Sequence, residues 1–172
     1  MITLNVQLLC LRDARSLIGG SMAHSQLNCA DYLLPSVVLQ AALDAHSRGI
    51  DWFWCAPRLF VDDTTGQTMG TASFIATDDA DVVEIGYGTA NEFQGLGVAS
   101  RGIAQMLAQA QAYNCAKSYI AKTASGNLAS QRVLEKNGFA PCCKIIDPED
   151  GEIVLWSKKK GAVADLMPGR DI

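Results

Sequence analysis

The residues that could do chemistry cluster in the second half of the chain. Gln94-Gly95-Leu96-Gly97-Val98-Ala99-Ser100 follows a β-type run, Glu84-Ile85-Gly86-Tyr87-Gly88-Thr89. It precedes apolar or small residues at Ala99, Ile103, Met106, Leu107, Ala110 and Tyr113. Those spacings describe one face of a helix of about four turns. A helix that opens after a glycine loop presents several unpaired N–H groups, and its dipole adds roughly half a positive charge there. Small residues let a phosphate approach the backbone, so the unit reads as a pyrophosphate seat. An NTPase P-loop would need Lys after the last glycine, where Val98 and Ala99 stand. Gly95, Gly97 and Ser100 only loosely mimic the dinucleotide fingerprint, which belongs after a first strand; here three or four strands precede the loop. A glycine turn with no ligand is the plain alternative for the loop taken alone.

Two further segments raise the loop above that alternative. Gln94-x-x-Gly97-x-Ala99 is similar to the Gln/Arg-x-x-Gly-x-Gly/Ala signature of the GNAT superfamily of acetyl-CoA-dependent N-acetyltransferases. The Glu-Ile-Gly-Tyr strand before it resembles the same family. So do the Asn-x-x-Ser segment Asn127 to Ser130, which runs on to Gly138-Phe139, and the final Asp150-Gly151-Glu152 turn. The resemblance covers about Arg58 to Lys158 and is strongest to the branch containing the ribosomal-protein alanine acetyltransferases; before Trp52 only the expected architecture matches.

The resemblance implies one GNAT domain over residues 1–172, of mixed α/β class. Its central, mostly antiparallel sheet would splay between strands 4 and 5, with helices on both faces. Acetyl-CoA would be the co-substrate, with no metal. Its pantetheine arm would enter the gap, hydrogen-bonded by the main chain of Tyr87, Gly88 and Thr89. Gln94 opens the loop, and the amides of Gly95, Leu96, Gly97, Val98, Ala99 and Ser100 would wrap the pyrophosphate. Asn127 would bond the pantetheine from the far side.

The acceptor would be a primary amine, either a protein N-terminus or a small molecule. Such an α-amine titrates near 7.7–8.0, so roughly a quarter is neutral near pH 7.4; a lysine near 10.4 is about three units away, and deprotonating it costs about 4 kcal/mol. Glu84 is the candidate base, against a structural carboxylate at the strand edge. Many family members donate the thiolate's proton from a tyrosine where this chain has Leu134. The branch resembled carries a serine three residues after the asparagine, and Ser130 matches; its plainer role is a helix-capping hydroxyl. Lys122 stands near where some members carry a glutamate. A catalytically weak acyl-CoA sensor of the same fold is the second reading, and an unrelated nucleotide-binding fold the third.

The elements that must position these residues follow from pattern. Strands are expected at Asn5–Leu11, Trp52–Val61, Thr68–Ala76, Val82–Thr89 and Ser118–Ala121, with a closing hairpin of Cys142–Ile146 and Ile153–Trp156. Trp52–Val61 and Thr68–Ala76 should pair around the Asp62-to-Gln67 turn. Helices are expected over Arg12–Gly20, Ser21–Ser47 with a break at Pro35, the long run after Gly97, and Asn127–Lys136 capped by a left-handed Gly138 against which Phe139 folds onto Leu134.

Composition excludes other classes. With 172 residues, 49% hydrophobic and 19% charged, the chain can bury a core. Its 14 Lys and Arg against 18 Asp and Glu give −4, so neither nucleic acid nor an anionic membrane is the expected partner. The opening residues lack a secretory n-region, and Tyr32–Leu43 is too short to span a bilayer. A cytoplasmic monomer or homodimer is the expectation. No two of Cys10, Cys29, Cys55, Cys115, Cys142 and Cys143 are spaced as Cys-x-x-Cys, so buried, reduced thiols are expected. Cys142-Cys143 is the pair that could do more, since strand neighbours point to opposite faces. His24 and His46 lack partners at ligand spacing. Trp52, Phe53 and Trp54 read as packing first and as an acceptor-pocket wall second. Asp62-Asp63 and the Asp78-to-Asp81 cluster are turn residues before they are a cation-steering rim, and Lys158 to Lys160 is a solvated strand end.

Overall fold

A computed structural model describes residues 2–113, 118–148 and 151–159. Cys115, Glu149, Asp150 and Lys160 fall outside these. Seven strands form one sheet in the order β1-β2-β3-β4-β5-β7-β6. They are β1 (Leu4–Leu8), β2 (Arg58–Asp62), β3 (Thr68–Ala76), β4 (Val82–Thr89), β5 (Ser118–Ala124), β6 (Ala140–Asp147) and β7 (Gly151–Lys158). Only the β4–β5 pairing is parallel. The helices are α1 (Leu11–Ile18), α2 (Ser36–Ser47), α3 (Trp52–Cys55), α4 (Val98–Ala112) and α5 (Leu128–Lys136). One core joins α4 and α5 to one sheet face through Phe60, Val83, Ile85, Ile103, Met106 and Leu134. A second joins α1, α2 and the turns before α2 to the other face through Leu17, Leu33, Leu39, Leu59 and Val61.

The central strands, β2 and β3, are buried almost throughout, as strands covered on both faces must be. The α4 stripe is Val98, Gly102, Ile103, Met106, Leu107 and Ala110. Gly102 belongs to it because a Cβ there would stand 2.5 Å from the Phe60 ring, so α4 lies unusually close to β2. Arg101, Gln105 and Gln109 donate to the carbonyls of Ile2, Leu4 and Val6 at 3.1, 3.0 and 2.9 Å. Two residues of strand rise nearly what four residues of helix do, so this ladder of side chains covers the free edge of β1 and fixes the axis of α4.

Four sequence expectations are corrected. Trp52–Cys55 is a helical turn and not part of the hairpin. Asp51 caps it through the Phe53 N–H (2.8 Å), and Pro57 forces Ala56 out of helical geometry. Ser21–Leu34 is two short 3₁₀ turns, divided by Asn28 at φ 47°, and the regular helix begins only after Pro35. The first strand stops at Leu8, where Cys10 caps α1. Lys158 is half-buried and donates to Asn137 O at 2.6 Å, closing the end of α5.

Other expectations hold. Gly138 is left-handed at φ 77°, and the Phe139 N–H reaches back to Leu134 O at 3.0 Å. Phe53 and Trp54 are packing residues: they meet Phe74, and the buried Arg58 guanidinium lies 4.7 and 4.5 Å from the Phe53 and Phe74 centroids. Burial pulls the pKa of Arg58 down to about 10. The expectation of buried thiols holds for Cys29 and Cys55 and is corrected for Cys10, Cys142 and Cys143. Cys29 and Cys55 are buried, which pushes both thiols up to about 11. Cys10, Cys142 and Cys143 are exposed, the last two because β6 is an edge strand open along its length and bulged between Pro141 and Cys143.

Candidate active site

β4 and β5 pair at only three positions: Val82 with Ser118, Val83 with Tyr119 and Glu84 with Ile120. Beyond Glu84, β4 continues against β3 as far as Thr89, and β5 against β7 as far as Ala124. The two parallel strands therefore part and leave a wedge-shaped gap. The Ala90 N–H donates to Met69 O at 2.9 Å. Thr89 and Gly70 are thus a non-hydrogen-bonded pair, and Gly88 exchanges its bonds with Thr71. A Cβ at Gly70 would meet Gly88 O at 2.5 Å, which agrees. Alternation then turns the N–H and C=O of Ile85, Tyr87 and Thr89 toward the gap. Among the expected donors, Tyr87 and Thr89 offer main chain to it. Gly88 offers a bare surface, since its own main chain is engaged with β3.

At the open end of the gap the chain makes a 3₁₀ turn over Asn91–Phe93, then two left-handed glycines, Gly95 at φ 76° and Gly97 at φ 74°. Neither has an atom within 4 Å of where a Cβ would stand. Val98 is buried and anchors the helix, whereas Gly95, Leu96 and Gly97 are exposed. The Leu96 N–H makes a long 3.4 Å bond to Phe93 O. Among the described residues, the N–H groups of Gly95, Gly97, Val98, Ala99 and Ser100 have no acceptor. No side chain caps this helix. Gln94 turns its amide to Asn91 Oδ1 at 3.1 Å. A diphosphate fits such a row of free amides, and an extended amide chain fits the unpaired edge of β4.

The far wall is α5. Asn127 Oδ1 accepts the Ser130 N–H at 3.0 Å, so Asn127 is the cap and its Nδ2 remains open among the described residues. The Ser130 hydroxyl is therefore free of capping and lies 2.7 Å from the Tyr87 hydroxyl. Tyr87 O–H also reaches Ser130 O at 3.0 Å. Burial raises the pKa of the phenol, with the Ser130 bond opposing. The Tyr87 side chain was missed from sequence, which used only its main chain. Strand alternation could have found it: Tyr87 shares a face with Val83 and Ile85, the face that α5 covers. Leu134 is completely buried in the core, so no phenol could stand there.

Glu84 lies on the opposite face of β4, and Lys122 Nζ holds its carboxylate at 3.0 Å. On that same face a cavity of about 640 Å³ lies between α2 and β3–β4, opening along Gly86 and Gly88. The gap therefore has a hydroxyl pair on one side and a cavity on the other. His24 bonds Leu34 O at 2.9 Å and pairs with Asp31 at 3.5 Å, while His46 bonds Ile50 O at 3.0 Å; both hold local turns. Among the described residues no group of three or more His, Cys, Asp or Glu side chains could hold a metal ion. Nor is any described helix long and apolar enough to cross a membrane.

Comparison with known proteins accords with this geometry. A ribosomal-protein-S5-alanine acetyltransferase from Vibrio fischeri superposes with a TM-score of 0.65 at 18% identity, over 94% of this chain and 96% of that one. A ribosomal L7/L12 α-N-protein acetyltransferase in complex with coenzyme A gives 0.65 at 17%, over 91% and 94%. An aminoglycoside acetyltransferase, also with coenzyme A, gives 0.63 at 17%, over 92% and 95%. At these identities the likeness shows the fold. No curated protein matches the sequence. A family model described as an acetyltransferase (GNAT) domain matches residues 14–140, most of the chain, and the protein therefore belongs to the GNAT acetyltransferases.

Proposed function

We propose that the chain transfers acetyl from acetyl-CoA to a primary amine by direct attack in a ternary complex, using Tyr87 and Ser130 on one side of the gap and the α2 cavity on the other. The observation that carries this is the parting of β4 from β5 after Glu84, with the two sites on opposite faces of the opening. Acetyl-CoA supplies the thioester.

The loop amides of Gly95 and Gly97 to Ser100 bind the diphosphate, and Tyr87, Thr89 and Asn127 Nδ2 align the pantetheine. One main-chain N–H of Tyr87 or Thr89 polarises the thioester carbonyl, a kind of contact worth about 3–4 kcal/mol when pre-aligned. The amine attacks from the cavity side, and the C–N bond forms as the C–S bond breaks. The Tyr87–Ser130 pair gives a proton to the departing sulfur, with Ser130 as donor and Tyr87 feeding it. A raised phenol pKa suits that role, because Tyr87 stays protonated at working pH. Glu84, held by Lys122, takes the proton that the amine loses.

Titration calorimetry with acetyl-CoA, followed by thiol release over a panel of amines and peptide N-termini, tests the reading. Binding with turnover supports it. Binding without any turnover favours the sensor reading, and absence of binding removes both.

A further inference from the structure

The chemistry of the cavity's lining restricts what amine can enter. This step rests on the acetyl-transfer reading and concerns its acceptor. The cavity is bounded by Leu33, Val38, Ala41 and Ile75, and Tyr32 and Val37 stand 57% and 71% exposed at its walls. Large apolar side chains left open around one cavity call for an apolar occupant. No Asp or Glu lines it, although the chain as a whole is acidic. Glu84, the register partner of Ile75, turns its carboxylate to Lys122. The one charged lining residue is Arg48, at the C-terminal end of α2, and its guanidinium has no ion pair or hydrogen bond among the described residues. Ser73, Thr89 and Asn91 add uncharged polar side chains to the lining; the Thr71 hydroxyl is already engaged with Leu33 O.

The two ends of the site are thus unlike. At Gly86 and Gly88 the bare strand admits the reacting amine. At the other end stands an unpaired positive charge, Arg48, at the C-terminal end of α2. A polycation would meet a like charge at Arg48, and no carboxylate in the lining offsets it. We infer that the acceptor is a small apolar primary amine carrying one carboxylate, of di- or tripeptide size, with the amine at Gly86–Gly88, the apolar body along Val38 and Ile75, and the carboxylate on Arg48.

The test compares Leu-Phe, its C-terminal amide, a long peptide beginning Leu-Phe, spermidine and kanamycin as acceptors, with thiol release as the readout. We expect Leu-Phe to exceed its amide about tenfold in kcat/KM, with no turnover of spermidine or kanamycin. Arg48→Met should bring Leu-Phe down to the level of the amide, while the affinity for acetyl-CoA, measured by calorimetry, stays as in the parent. Arg48→Glu should reverse the preference, and a circular dichroism melt confirms that each variant is folded. Equal use of Leu-Phe and its amide, a preference for the polycations or for the long peptide, or no turnover of these five by a chain that turns over another amine of the wider panel overturns the acceptor assignment alone; binding of acetyl-CoA with no turnover of any amine overturns the transfer reading with it. Failure to bind acetyl-CoA overturns the underlying reading as well.

Discussion

The two sides of the gap are built from different material. The proposed co-substrate side is almost all main chain: the unpaired edge of β4, the free amides of Gly95 and Gly97 to Ser100, and two left-handed glycines. The proposed acceptor side is side chain: Leu33, Val38, Ile75, Ser73 and Arg48 over a bare strand. A main-chain site needs particular backbone shapes, which only a few residue types allow, so it leaves a motif. A side-chain site can be lined in many ways and leaves none. Recognition of the co-substrate should therefore break through backbone shape, and recognition of the acceptor through side-chain chemistry.

The largest effect is expected where shape matters most. Gly97→Glu places a side chain at φ 74°, a region that favours glycine, and aims negative charge into the diphosphate seat. Affinity for acetyl-CoA by calorimetry should fall at least about a hundredfold, with the melting temperature showing that the chain still folds. Retained affinity would remove the loop from the site.

The hydroxyl pair sits between the two kinds of wall. Tyr87→Phe should lower kcat by about a hundredfold, the lower end of general acid catalysis, with CoA affinity little changed. Ser130→Ala should do the same, and the double variant should cost little more than either single one, because the two act as a unit. The pH profile sharpens this. The phenol's pKa lies above its ordinary value, so its proton is held to higher pH than a free tyrosine holds its own. In the parent enzyme kcat/KM should rise as an α-amine deprotonates near pH 8 and stay level above it until an ordinary tyrosine would begin to lose its proton. A fall beginning near pH 8 or 9 would point to another donor.

The smallest effect concerns Glu84, whose carboxylate is shared with Lys122. Glu84→Gln should reduce kcat/KM about tenfold for an alkylamine of pKa near 10 and about threefold or less for an α-amine, which is partly neutral already. An equal loss for both amines would make Glu84 a structural tie between β4 and β5.

The same contrast explains what could be read in advance. Gly95, Gly97 and Gly138 mark left-handed turns that few residues tolerate, so the loop and the end of α5 were legible. The order of elements along the chain followed from hydrophobic pattern, and the splay after strand 4 from the resemblance to the GNAT family. Trp52–Cys55 was misread because β-propensity pointed one way while a cap from Asp51 and the stop at Pro57 decided the other. Gly102 was invisible because its place in the stripe is set by the Phe60 ring across the core. The Tyr87–Ser130 pair joins residues 43 positions apart, and no local pattern connects them. Arg48 gave no signal, for its meaning comes from the walls around it.

Hydrogen exchange with and without acetyl-CoA bears most directly on the claim that main chain grips the co-substrate. On saturation, segments covering residues 85–89 and 95–100 should slow together, and β6 should exchange as before. Unchanged exchange in both segments at saturating acetyl-CoA, with protection elsewhere, would contradict the account.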